Sequence, residues 1–232
     1  MSTVRQVNRD MLSIVARRLG PLLEQVVFLG GCTTALFLTE EGTADVRPTL
    51  DVDLIVEIVS SAEYQQLEEQ LRVLDFRQRI DEEVICRWFV EDITVDIMPT
   101  DERILGFSNR WYSDAIRQAE RYRLTDELTI NLVTPPHFLA TKIEAFYGRG
   151  GGDFLASHDM EDIVTLVDGR PELIIEVQQS DARLKEFLVD EFTRFLNNID
   201  FTQSLSGHLH PDPASQQRLS GLLGRLAEIA GR

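Results

Sequence analysis

The sequence predicts an α+β protein: a small mixed or antiparallel sheet flanked by helices over residues 1–133, then a helical module over residues 134–232. Three observations predict it. Short β-branched apolar runs recur in the first part, at "QVVFLGG", "LDVDLIVEIV", "ITVDIMP" and "LTINLV". After Thr134 the pattern changes to apolar residues at helical spacing, opened by Pro135 and Pro136. Hydrophobic residues make up 43% of the 232, which is enough to bury a core and unlike a disordered composition.

The elements follow in order. "VNRDMLSIVARRLGPLL" has helical apolar spacing and stops at Gly20 and Pro21. "QVVFLGG" reads as a short buried strand running into a Gly-Gly turn, and "CTTALFLTE" as a short helix. "LDVDLIVEIV" is apolar enough to lie inside a sheet. "SSAEYQQLEEQLRVL" opens with a serine N-cap and reads as a helix. "FRQRI", "VICRWFV" and "ITVDIMP" predict an antiparallel meander, with "DEE" and "ED" as tight turns. "RWYSDAIRQAERY" is predicted helical and "LTINLV" a further strand.

In the second part, "TPPHFLATKIEAFYGRG" predicts a helix, "GRGGGDFLAS" a flexible loop, and "SHDMEDIVTLVDG" a helix capped by Ser157 and stopped by Gly169. "RPELIIEVQQ", "DARLKEFLVDEFTRFLNNI" and "PASQQRLSGLLGRLAEIA" predict more helices, with "HLHP" as a mobile polar loop. There is no internal repeat. No long linker separates the halves, which predicts that they pack as one unit.

Charge and cysteine usage narrow the function. A net charge of −16 disfavours a protein that coats nucleic acid by neutralising phosphates, while leaving room for a local basic cleft. It suits an enzyme that gathers carboxylates around divalent metal, although most of the excess is solvated surface. Cys32 and Cys86 lie far apart without metal-ligand neighbours, as expected of free thiols in a reducing cytosol. The longest apolar stretch, "VVFLGGCTTALFL", is too short and too rich in Gly and Thr for a bilayer, which takes about 20 apolar residues. No signal peptide is legible, so a cytoplasmic protein without a membrane partner is expected.

Chemistry concentrates at "RPTLDVDLIVEI". Side chains alternate along a strand, so Asp51 and Asp53 point to one side and Val52 to the other. Two carboxylates this close repel, and burying them unpaired would cost several kcal/mol or force protonation. A divalent cation removes the conflict; the plainer reading is a strand end where both acids reach solvent. Asp96 repeats the pattern in mid-strand, opposite Ile93, Val95 and Ile97. Gly30 and Gly31 sit between a strand and a helix, where backbone can approach phosphate, though an ordinary tight turn explains them too. Arg47 and Thr49 can bind phosphate or hold the loop; for Arg47 the alternative is a surface salt bridge. His137, His158, His208 and His210 share no metal-ligand spacing, and "GRGGGD" lacks the Lys-Ser/Thr of a P-loop. Phe146 and Tyr147 can stack on a base, but an apolar helix face accounts for Phe146 equally well.

The order Gly30-Gly31, short helix, "RPTLDVDL", later strand aspartate resembles the nucleotidyltransferase superfamily related to polymerase beta. Arg47, Thr49, Asp51 and Asp53 match an "R-x-T-x-D-x-D" form of its motif. Downstream, "PPHFLATKIEAFYGRGGGDFLASHDMEDIVTL" resembles the signature of the AbiEii-type toxin nucleotidyltransferases, with Lys142, Arg149, Asp159 and Asp162 in its Lys, Arg and Asp places. His158 stands where that branch usually has Lys or Arg, and Ile163 where it has Leu. The resemblance covers residues 25 to 168 and implies a small mixed sheet flanked by helices.

It also implies an activity: magnesium-dependent transfer of a nucleoside monophosphate from a nucleoside triphosphate to a hydroxyl. Asp51, Asp53 and Asp96 would hold Mg2+, with Asp96 also a candidate proton acceptor. Lys142 would offset charge on the leaving pyrophosphate, and Gly30, Gly31, Arg47, Thr49, Asp159 and Asp162 would bind nucleotide. Asp159 and Asp162 share one helix face, so a salt bridge to Lys142 is an equal reading, and the two can coexist. The acceptor can be RNA, protein or a small molecule. The toxin branch favours a macromolecule such as a tRNA end, with an antitoxin-like protein partner; the charge of −16 favours a small acceptor of the antibiotic type. Two alternatives use the same fold: a non-catalytic nucleotide- or partner-binding module, and metal-dependent phosphoester hydrolysis.

Overall fold

A computed structural model describes residues 3–40, 46–79, 84–149 and 152–232. The chain divides into two compact units: Met1–Thr33 with Arg47–Thr134, and Thr34–Val46 with Pro135–Arg232.

In the first unit, α1 (Val4–Leu19) starts where the Thr3 hydroxyl accepts the Gln6 N–H, and it buries Leu12, Val15, Ala16 and Leu19. A 3-10 turn over Gly20–Gln25 leads into β1 (Val26–Leu29), buried along its whole length. A second turn over Gly31–Thr33 passes the chain to α2 (Thr34–Phe37), which belongs to the second unit. The chain returns as β2 (Asp51–Val56), then α3 (Ser61–Val73), whose first turn is capped by Ser60. β3 (Arg87–Val90), β4 (Ile93–Pro99), α4 (Glu102–Leu105), α5 (Tyr112–Arg117), β5 (Glu120–Arg123) and β6 (Thr129–Leu132) complete the unit.

The six strands form one mixed sheet in the order β3-β4-β2-β1-β6-β5. β2 runs parallel to β4 and antiparallel to β1, β1 runs parallel to β6, and both outer pairs are antiparallel. Helix α1 packs on β2 and β4, and α5 on β2. The sheet and its helices match the expected class.

Two elements differ from the sequence reading. Over its described residues, 76–79, "FRQRI" forms no third meander strand; it makes a single bridge, Arg77 to Phe89. Phe76 is buried at the start of this run, but Arg77, Gln78 and Arg79 after it are all exposed, so its described residues present no alternating buried face, and β4 pairs on its other side with β2. The expected "DEE" turn lies outside the described residues. "RWYSDAIRQAERY" is not one helix: α5 ends at Arg117, and Glu120–Arg123 becomes a strand along β6. Local helical spacing yields there to the hydrogen-bonding edge that β6 offers opposite β1.

The second unit holds α2, α6 (Pro135–Arg149), α7 (His158–Gly169), α8 (Leu173–Gln179), α9 (Ala182–Leu196), α10 (Ile199–His208), α11 (Pro213–Gln217) and α12 (Leu219–Ile229). Helix α9 packs against α6, α8, α10 and α12, and α7 against α6, α10 and α12. The core is aromatic: Phe146, Phe154, Phe195 and Phe201 meet at ring distances of 5.0 to 6.2 Å. Phe146 is a core residue, 1% exposed, whereas Tyr147 is half exposed and donates its hydroxyl to Glu191. "HLHP" is not a free loop at its start, since His208 ends α10 and its Nε2 lies 2.7 Å from the Phe154 carbonyl oxygen. Among the described residues no helix is long and apolar enough to cross a membrane.

Candidate active site

The strand register gathers the acids. Asp51 and Asp53 project from one side of β2, with Val52 fully buried on the other. In the parallel pairing of β2 with β4, Asp53 lies beside Asp96 and Asp51 beside Thr94. Paired residues share a sheet face, so all three carboxylates point the same way. One oxygen from each lies within 4.8 Å of the others. Asp51 and Asp53 are half-buried, and Asp96 is buried.

The Gly-Gly turn makes room for charged side chains. Leu29 pairs with Asp53 across β1 and β2, which places the next residue, Gly30, against the Asp53 side chain. A Cβ at Gly30 would overlap the Asp53 carboxylate, and one at Gly31 would overlap the Arg47 guanidinium and press on Thr49. Gly30 also has φ of 77°, in the left-handed region that glycine tolerates best. Gly30→Ala should therefore cost more than about 1 kcal/mol and displace Asp53. Gly106 supplies the control: its φ is 79°, and nothing lies within 4 Å of where its Cβ would be. Thermal unfolding of both variants should show Gly30→Ala losing clearly more than Gly106→Ala; equal losses would mean that Asp53 yields freely.

Beneath the turn lies a buried polar group. The Thr49 hydroxyl meets the Asn8 side-chain oxygen at 3.4 Å, and the Cys32 thiol lies 3.4 Å from the Asn8 carbonyl oxygen. Asn8 and Cys32 are each 1% exposed. Burial pushes the Cys32 thiol up to about 12; a hydrogen bond with Thr49 opposes this, and Asp53 and Asp51 add to it. A thiol held this firmly protonated is neither nucleophile nor metal ligand at neutral pH. Cys86 is likewise pushed up to about 12, by burial first and then by Asp96.

Asp96 has a cationic partner that the sequence reading missed. Arg87 on β3 donates Nε to one Asp96 oxygen and Nη2 to the other, both at 2.8 Å. The signal was present: the two-residue turn at Glu91 and Asp92 pairs Val90 with Ile93, and counting outward along the hairpin puts Arg87 opposite Asp96.

The second unit assembles the other candidates. Lys142 on α6 meets Asp159 at 3.0 Å and Asp162 at 2.7 Å, both on α7. Lys142, Asp159 and Asp162 are 6%, 5% and 1% exposed, so this is a buried ion cluster. Arg149 adds two bonds to Asp159, each of 3.1 Å, and the Thr34 hydroxyl reaches Asp162 at 3.4 Å. Burial raises the Asp159 pKa, but Lys142 and Arg149 outweigh it and hold the carboxyl below its usual range. The salt bridge weighed for Lys142 is thus present. His158 is exposed and lies beside Glu161.

The structure therefore brings Gly30, Gly31, Arg47, Thr49, Asp51, Asp53 and Asp96 together in the first unit, and Lys142, Asp159 and Asp162 together in the second.

No family model matches the chain, and no curated protein matches it. Seven chains of solved structures do. One is the crystal structure of an antigenic nucleotidyltransferase-like protein from Paracoccidioides brasiliensis, 20% identical with a TM-score of 0.49, over 86% of this chain and 92% of that one.

Proposed function

We propose that this chain is a magnesium-dependent nucleotidyltransferase, moving a nucleoside monophosphate from a nucleoside triphosphate to an acceptor hydroxyl. One observation carries the reading: three carboxylates from two neighbouring strands converge on one sheet face, with oxygens within 4.8 Å, beside a glycine turn shaped around one of them. Arg87 offsets part of this cluster's charge at Asp96, and a divalent cation would offset more.

The donor set fits magnesium. All three ligand atoms are carboxylate oxygens, the hard donors that Mg2+ prefers, and a few such ligands leave positions for phosphate oxygens. Asp51, Asp53 and Asp96 would hold the ion. When bound, it supplies charge neutralisation on the phosphates and activation of the attacking hydroxyl. The chain's own contribution is to aim the carboxylates. β2 fixes Asp51 and Asp53 two residues apart on one face, Gly30 leaves Asp53 its space, and β4 holds Asp96 alongside. Arg47, packed on Gly31, and Thr49 are assigned to the phosphates and to the shape of the loop that carries the acids. Lys142 is assigned to the triphosphate, with Asp159 and Asp162 holding its ammonium group.

Within this activity, the order Lys142, Arg149, Asp159, Asp162 favours a toxin-type enzyme with a macromolecular acceptor and an antitoxin-like protein partner. The net charge of −16 favours a small acceptor. The test is transfer from each of the four labelled nucleoside triphosphates, with cell extract or a small-molecule panel as acceptor. Label should move to one acceptor class with Mg2+ and not with chelator. Release of label to water alone would identify a phosphoester hydrolase; no turnover of any triphosphate would leave a binding module.

A further inference from the structure

We propose that Arg87 is a positioning residue of the metal site, standing in for the cation at Asp96 until metal arrives. This rests on the metal-site reading above. Three carboxylates within 4.8 Å repel one another in the metal-free chain, and Asp96, 8% exposed, is the one least able to turn to solvent. Arg87 answers that problem with geometry as well as charge. Its guanidinium is a planar fork, and both prongs engage Asp96, one to each carboxylate oxygen at 2.8 Å. The fork fixes the plane of the carboxylate. It occupies one acceptor direction on each oxygen, and a carboxylate offers about four in all, so each oxygen keeps one for an ion.

Arg87 itself is well held. It is the cross-strand partner of Asp96 in the β3–β4 hairpin, which sets the two side chains on one face without any loop rearrangement. The result is a site with a resident countercharge. It keeps Asp96 oriented while empty, and it opposes an arriving cation by its own positive charge.

Two consequences follow in opposite directions, and a mere strut would not produce both. In Arg87→Gln the competing charge is gone, so Mn2+, used as a paramagnetic probe of the free ion, should bind about 3- to 10-fold more tightly. Transfer should nonetheless fall in kcat by about 10- to 100-fold, because the carboxylate plane is no longer fixed. The metal-free melting temperature should drop, and saturating Mn2+ should recover more of it than in the wild type. Arg87→Lys keeps the charge but not the fork. Its Mn2+ affinity should stay within about 2-fold of wild type, while its kcat still falls. The decisive comparison is Mn2+ affinity in the three proteins, read by loss of the free-ion spectrum. Equal or weaker binding by Arg87→Gln, or equal tightening by Arg87→Lys, would overturn the proposal and leave Arg87 as a structural ion pair. A wild type that binds no Mn2+ would remove the metal site itself. That outcome is distinct, since it appears before any variant is made.

Discussion

Asp51→Asn combined with Asp53→Asn should abolish nucleotide transfer, by at least about 10³-fold, while leaving the fold intact. Asparagine keeps the shape of aspartate and removes the charge. A site that depends on those charges loses several kcal/mol of transition-state stabilisation, and each 1.36 kcal/mol is a factor of about ten. The stability of the metal-free protein should change the other way. The two acids lie on one face with Asp96, so neutralising them relieves repulsion, and the double variant should melt at or above the wild-type temperature. Side chains that only cap a strand or pair with a neighbour would behave differently, since their loss lowers stability. A melt without metal, paired with the transfer assay, separates the two. Lower stability with unchanged transfer would make Asp51 and Asp53 structural.

Lys142→Met should destabilise the second unit by about 3–5 kcal/mol at neutral pH. It removes the ammonium that pairs with Asp159 and Asp162, which are 5% and 1% exposed, and leaves buried carboxylates without their principal cation. The pH dependence has a definite sign. Lys142 and Arg149 outweigh burial and hold Asp159 below its ordinary value of 3.8. The stability that this depression contributes is present above that value and is lost as pH falls through the lower, folded-state one. The penalty of Lys142→Met should therefore be full at neutral pH and shrink in acid, as Asp159 takes up a proton. Urea unfolding at pH 7 and at pH 3 checks this. A loss below about 1 kcal/mol at pH 7, the range of an exposed pair, would mean that the cluster is solvated.

What was legible in the sequence follows the reach of each signal. The D-x-D pair was readable because strand alternation is local: Asp51 and Asp53 must share a face wherever β2 lies. Asp96 was readable as a misplaced charge in an apolar strand, and the parallel register then put it beside Asp53. The purpose of Gly30 and Gly31 was only partly legible. Close approach was expected, but which side chains fill the space, Asp53 and Arg47, depends on strand pairing distant in sequence. Arg87 was recoverable from hairpin counting and was missed because "ICRWFV" reads as ordinary strand chemistry. The failures at "FRQRI" and at Glu120–Arg123 have one cause: edge pairing is decided by the neighbouring strand, so local pattern misleads at both margins of the sheet. Helix α10, "IDFTQSLSGH", was passed over because it is capped by Asn198 but carries few apolar residues at helical spacing.

The most direct test of the proposal that Asp51, Asp53 and Asp96 hold the metal is a crystal of the protein with Mn2+ and a non-hydrolysable nucleoside triphosphate, examined for the anomalous signal of manganese. Anomalous density coordinated by oxygens of Asp51, Asp53 and Asp96, and absent from the Asp51→Asn, Asp53→Asn double variant, is the predicted result. Manganese bound elsewhere, or no manganese at a concentration that supports transfer, would contradict it.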